Sequence, residues 1–132
     1  MLRLLTAFAL CLLLASPVQG AQAETLGHLE ANRMMIRNGV QAVLMCNGLF
    51  TSQRTLEQVF GQELAYLERF GGRVGTASGG EYSIDPERQF VGVGGGSAGT
   101  RIHAAFRQGI GCVVMAPGQG PDDINSLPAI EL

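Results

Sequence analysis

The chain has 132 residues, with nine basic side chains, all arginine, against eleven carboxylates and a net charge of −2. That length leaves room for one small domain. The charge balance excludes the basic footprint of a nucleic-acid binder and the polybasic patch of a membrane-surface protein.

In chain order, the N-terminus reads first. Met1-Leu2-Arg3 is a short basic start, and Leu4 to Ala15 is an almost unbroken apolar run of 12 residues. Ser16-Pro17 breaks the run, and Ala21-Gln22-Ala23 places small residues where a signal peptidase reads them. The pattern predicts a secretory signal peptide over 1–23, cut between Ala23 and Glu24. A membrane-spanning helix needs about 20 apolar residues, so the run predicts no stable membrane anchor. Cleavage leaves 24–132, and loss of Arg3 leaves eight arginines against the same eleven acids.

Residues 28–47 predict a helix. Leu29, Ile36, Val40, Val43 and Leu44 share one face at helical spacing, and Arg33, Arg37 and Gln41 share the other. Asn47-Gly48 reads as its end, because both residues tolerate a left-handed backbone. Residues 56–69 predict a second helix, with Leu56, Val59, Phe60, Leu64 and Leu67 in a stripe. Thr55 and Gln58 fit a capping box, and Gly71-Gly72 stops the helix. The short connection over 48–54 predicts an antiparallel helical hairpin.

Beyond Gly71 the texture changes to short apolar runs between glycines. Tyr82-Ser83-Ile84 leads into Asp85-Pro86-Glu87-Arg88, which reads as a type I turn. Gln89 to Val93 predicts a strand, and Gly94 to Gly99 a flexible loop. In 100–107, Ile102, Ala104 and Phe106 alternate with Arg101, His103 and Arg107, which favours strand over short helix. Gly109-Ile110-Gly111 turns the chain into a final buried strand, Cys112 to Met115. Successive strands with short connections neighbour one another. The fold class is therefore α+β over 24–116, a helical hairpin packed on an antiparallel meander of three to four strands. After Pro117 the pattern fades, and 117–132 reads as a Pro/Gly-containing linker or the start of a further domain.

Cys46 and Cys112 are the cysteines outside the leader. In an exported chain a pair favours a disulfide over two separate buried thiols. It would close a loop of about 65 residues, for which the chain-entropy model gives roughly 4 kcal/mol.

Gly95-Gly96-Ser97-Ala98-Gly99 matches the G-x-S-x-G nucleophile elbow. An elbow needs a later acid and then a histidine. Here His103 precedes Asp122 and Asp123, so the order is reversed and the match reads as a hairpin loop. The same glycines fit G-x-G-x-x-G, but the βαβ unit of a dinucleotide site is missing, and no cofactor is expected. His28 and His103 have no metal-like spacing with the cysteines, and Met34, Met35 and Met45 read as packing residues, so no metal site is expected. With no lysine, the S-x-x-K chemistry of penicillin-binding-type acyl-serine hydrolases cannot occur within these residues. No catalytic residue is assigned.

Cys46-Asn47-Gly48-Leu49-Phe50-Thr51-Ser52-Gln53-Arg54, with the helix that follows it, resembles the start of exported serine hydrolases of the β-lactamase family. Asp85-Pro86-Glu87-Arg88 through Gly109-Ile110-Gly111-Cys112 is similar to the same proteins, where a meander with a Gly-x-Gly-Cys turn leads to a proline-rich linker. The resemblance covers most of 38–130, with Asn47 and the Gly94 to Gly99 loop atypical. It implies that Cys46 pairs with Cys112 and that the catalytic domain, carrying S-x-x-K, follows Leu132. The expected function is a non-catalytic accessory segment of such a hydrolase, with the catalytic domain of the same longer chain as its partner. A free-standing periplasmic binding or interaction module is the second reading, and a minimal hydrolase using Ser97 the third.

Overall fold

A computed structural model of the chain describes residues 18–70 and 72–131. The chain divides into two units, Met1–Glu30 and Ala31–Leu132. Residues 1–17, with most of the expected signal peptide, lie outside the described residues, and Ala23 and Glu24 lie in helix α1 (Val18–Cys46). Among the described residues, no helix is long and apolar enough to cross a membrane.

The second unit is α+β. Strands β1 (Tyr82–Asp85), β2 (Phe90–Val93), β3 (Ile102–Arg107) and β4 (Gly111–Val114) form one antiparallel sheet in the order β1-β2-β3-β4. The turn from β1 to β2 forms as its sequence predicts. Asp85 Oδ1 accepts from the N–H groups of Glu87 and Arg88, at 3.1 and 3.0 Å, and Gln89 takes a positive φ to return the chain. The register aligns Ser83 with Gly92 and Gly92 with His103 across three strands. Residues 102–107 are strand, as the alternation favours.

The sheet separates two clusters of apolar side chains. Val91, Val93 and Ala104 pack with Ala42, Met45 and Cys46 of α1 and with Val59, Phe60, Leu64 and Leu67. Phe90, Ala105 and Met115 pack instead with Ile124 and Leu127. These last two belong to or adjoin a 3₁₀ turn, Pro121–Ser126, in a segment whose sequence shows no periodic element. β4 is an edge strand and only partly buried, so of the expected buried strand Cys112 to Met115 only Met115 is fully enclosed.

The helices differ from expectation in three ways. α1 does not end in a left-handed residue at Asn47-Gly48 but runs into a wide π turn, Asn47–Thr51. Gly48 serves close approach instead: a Cβ there would stand 2.6 Å from Val59 Cγ2. The second helix keeps its capping box, with Gln58 N–H donating to Thr55 Oγ1 and Thr55 N–H donating to Gln58 Oε1. It then loses regularity, passing from one α turn, α2 (Leu56–Gln58), to a π turn, Val59–Glu63, and a 3₁₀ stretch, Leu64–Phe70. The widening and tightening bring Val59, Phe60, Leu64 and Leu67 together into the core.

The third difference is the buried face of α1. Asn38, Gln41, Ala42, Met45 and Cys46 face inward, whereas Ile36 is 64% and Val40 38% exposed. The inward polar residues are held by specific bonds. Gln41 Nε2 donates to Val74 O at 2.8 Å, and Val74 N–H donates to Gln41 Oε1 at 2.7 Å. Asn38 Nδ2 donates to Ala98 O and Thr100 O at 2.7 and 2.9 Å. The Gln41 amide is paired at both its nitrogen and its oxygen and so is buried without an orphaned polar group, whereas Asn38 is bonded through Nδ2 alone and its Oδ1 is buried with no hydrogen-bond partner.

Candidate functional site

Three features of the second unit bear on function: the disulfide, the glycine loop and an apolar ridge. Cys46 at the end of α1 is bonded to Cys112 in β4 across 66 residues. Asn47, next in sequence, turns its Oδ1 to the edge of the same strand, where it accepts from Cys112 N–H at 3.3 Å and from Thr51 Oγ1 at 3.1 Å. The cystine and the asparagine together fasten the helix end to the outermost strand.

The glycine loop is pinned rather than flexible. Glu81 Oε1 accepts from Ser97 N–H at 3.2 Å and from Ser97 Oγ at 3.0 Å, and Glu81 Oε2 accepts from Ala98 N–H at 2.6 Å. The Ser97 hydroxyl is the main influence holding the Glu81 carboxyl below its ordinary value; partial desolvation opposes it, and the two N–H groups and Arg101 add to the lowering. Asn38 ties the far side of the loop to α1. Ser97 thus donates to a carboxylate, not to an imidazole. The loop leads through one 3₁₀ turn, Gly96–Ala98, into an antiparallel strand rather than into the helix that an elbow requires.

His103 is engaged elsewhere. Its Nδ1 lies 2.7 Å from Gln119 O, and its ring stacks on Phe90 with centroids 4.8 Å apart. His28 is exposed. Asp123 accepts from Gly120 N–H at 2.8 Å and so caps the 3₁₀ turn, while Asp122 is exposed. Among the described residues no group of three His, Cys, Asp or Glu side chains could hold a metal ion.

The apolar residues turned outward on α1 form a ridge. On one side of Ile36 and Val40 lies a hollow of about 300 Å³, lined by Met35, Gly39, Val43, Ile102, Val114 and Pro117 among others. On the other side is a hollow of about 310 Å³ whose lining includes Arg33, Arg37, Tyr66 and Leu67. Tyr66 is 59% and Val114 43% exposed. Contiguous exposed apolar surface of this kind marks an interaction site more often than scattered single residues do.

The sequence brought forward Cys46, Cys112 and Ser97. It did not reveal Glu81 as the clamp on the loop, nor Asn38 and Gln41 as inward-facing anchors. The one available signal was the presence of two side-chain amides in a helix that is otherwise apolar on the inward side. Compared with protein-family models, curated proteins and solved structures, the chain matches none.

Proposed function

We propose that the chain is exported and is the N-terminal accessory segment of a serine hydrolase of the β-lactamase family, without catalytic residues of its own. The cystine carries this reading: Cys46 bonds Cys112, the pairing that the resemblance implies, and the strands between them form an antiparallel meander of the kind the resemblance describes. A disulfide also accords with an oxidising compartment and hence with the signal peptide proposed for 1–23. The outward ridge of Ile36 and Val40 supports a docking role, its occupant being the catalytic domain of the same longer chain. Ser97, bonded to Glu81, has no part in catalysis. The test is the DNA downstream of the Leu132 codon. An open frame reaching an S-x-x-K is expected, and a stop codon directly after Leu132 would end the reading.

The two apolar hollows beside the ridge favour a second reading, a free-standing periplasmic interaction module. It calls for a natural stop codon and for cooperative unfolding of residues 24–132 by themselves.

A further inference from the structure

Two asparagines of the chain are followed directly by glycine, Asn38-Gly39 within α1 and Asn47-Gly48 just beyond its end. In an unfolded chain the glycine nitrogen of such a pair can attack the asparagine side chain, because glycine has no Cβ to obstruct the approach. The fold closes that route at Asn38. Its side chain is fully buried, and Nδ2 donates to Ala98 O at 2.7 Å and to Thr100 O at 2.9 Å. Two acceptors therefore hold the nitrogen that would have to leave. Oδ1 has no hydrogen-bond partner, so no donor polarises the carbonyl that would be attacked. The Gly39 N–H is itself engaged in the helical ladder. The same bonds decide what a product would meet. Asn38 serves its two carbonyl partners as a donor, and an aspartate carboxylate only accepts. Aspartate at position 38 would set a buried charge against Ala98 O and Thr100 O. Asn47 is the contrast: its Oδ1 accepts from Cys112 N–H and Thr51 Oγ1, a role that a carboxylate oxygen fills as well.

We propose that Asn38 is a deamidation site of the unfolded chain, that folding closes it, and that a chain modified there no longer folds. This goes beyond the accessory role and does not depend on it. Gly39 N attacks Asn38 Cγ, an N–C bond forms, and the Cγ–Nδ2 bond breaks. Ammonia departs with the electron pair and with the proton that Gly39 N gives up. Water then opens the cyclic imide: its oxygen bonds to one carbonyl carbon, the bond from that carbon to nitrogen breaks, and the nitrogen takes a proton from the water. The product is aspartate, or isoaspartate with an extra methylene in the backbone. Either lacks the donor that ties the glycine loop to α1. The pair thus acts as a timer on chains that stay unfolded.

The purified protein is kept in mildly alkaline buffer, once folded and once unfolded in guanidinium chloride with the cystine reduced. Conversion at each asparagine is followed by tandem mass spectrometry of its peptides. Conversion at Asn38 is expected to be slower in the folded protein by at least about 100-fold, because a fully buried group reacts only in the rare opened molecules. Equal rates, or no conversion in the unfolded chain, overturn the proposal. The partly converted chains are then refolded with reoxidation, and the folded fraction is isolated. Converted Asn38 should be missing from it, whereas conversion at the exposed Asn125 should be as frequent there as in the whole sample. Converted Asn38 that keeps its starting frequency in the folded fraction overturns the proposal. Variants separate the two steps. Gly39→Ala adds a Cβ that meets Ile102 Cγ2 at 3.4 Å, an ordinary contact, so it should fold and slow conversion of the unfolded chain several-fold. An unchanged rate excludes Gly39 N as the attacking atom. Asn38→Asp should lose cooperative folding and Asn47→Asp keep it. An Asn38→Asp protein with the urea midpoint of the unaltered chain contradicts the second step.

Discussion

Glu81 shows how one carboxylate can order a run of glycines. It accepts from two backbone N–H groups and one hydroxyl of a loop that would otherwise be free to sample many conformations. Its carboxyl sits below the usual glutamate value because these donors favour the charged form. The sign follows from linkage: stabilisation from a lowered carboxyl is complete above its unfolded value and is lost as pH falls through its folded value. The protection factors of the Ser97 and Ala98 N–H groups, taken against the intrinsic exchange rate at each pH, should therefore fall as Glu81 becomes protonated in acid. In Glu81→Gln the amide loses one acceptor oxygen, so the same amides should exchange faster already at neutral pH and show little further opening in acid. Exchange that is equally slow in both proteins at neutral pH would show that the clamp contributes nothing. Gln41 works at the same scale, since its side-chain amide pairs with both polar groups of Val74 as a neighbouring strand would.

Among the elements, the strands were legible and the helix faces were not. Alternation over 100–107 and the Asp85-Pro86 turn depend on neighbours two to four residues apart, so a short window of sequence contains the information. The inward face of α1 depends on partners far along the chain: Asn38 bonds residues 60 and 62 positions away, and Gln41 one 33 positions away. Periodicity alone places Gln41 opposite the face that holds Ile36 and Val40 and assigns that face to the core, which inverts part of the helix. The irregular second helix was hidden for a related reason, since its π and 3₁₀ turns answer to the shape of the core rather than to local propensity. Of the candidate site, the two cysteines stood out by number, whereas Glu81, 16 residues from Ser97, did not. The cystine joins the end of α1 to the edge of the sheet, so its removal should be felt by both. Replacing Cys46 and Cys112 by alanine should cost about 2–5 kcal/mol of stability, the range for native disulfides in small domains. Urea denaturation of the double variant beside the oxidised protein measures this, and equal midpoints with equal slopes would contradict it.

For the whole molecule, the central question is why a small domain leaves an apolar ridge uncovered. Both faces of the sheet already have cover: the helical segments lie over one, and Ile124 and Leu127 lie over part of the other. The ridge is thus surplus to the second unit's own core, and surplus apolar surface flanked by hollows is what a docking partner would bury. At these side chains stability and association separate. Ile36→Glu and Val40→Glu alter side chains already turned toward water, so each should change the stability of the chain by no more than about 0.5 kcal/mol. In the longer protein of the proposed function, the same changes should weaken docking of the catalytic domain. Hydrogen exchange over 33–43 would then rise in the variant relative to the unaltered long protein, while remaining the same in the two versions of the 132-residue chain. If Ile36→Glu unfolds the short chain, the ridge belongs to the core. If it leaves exchange unchanged in the long protein, the catalytic domain does not sit there.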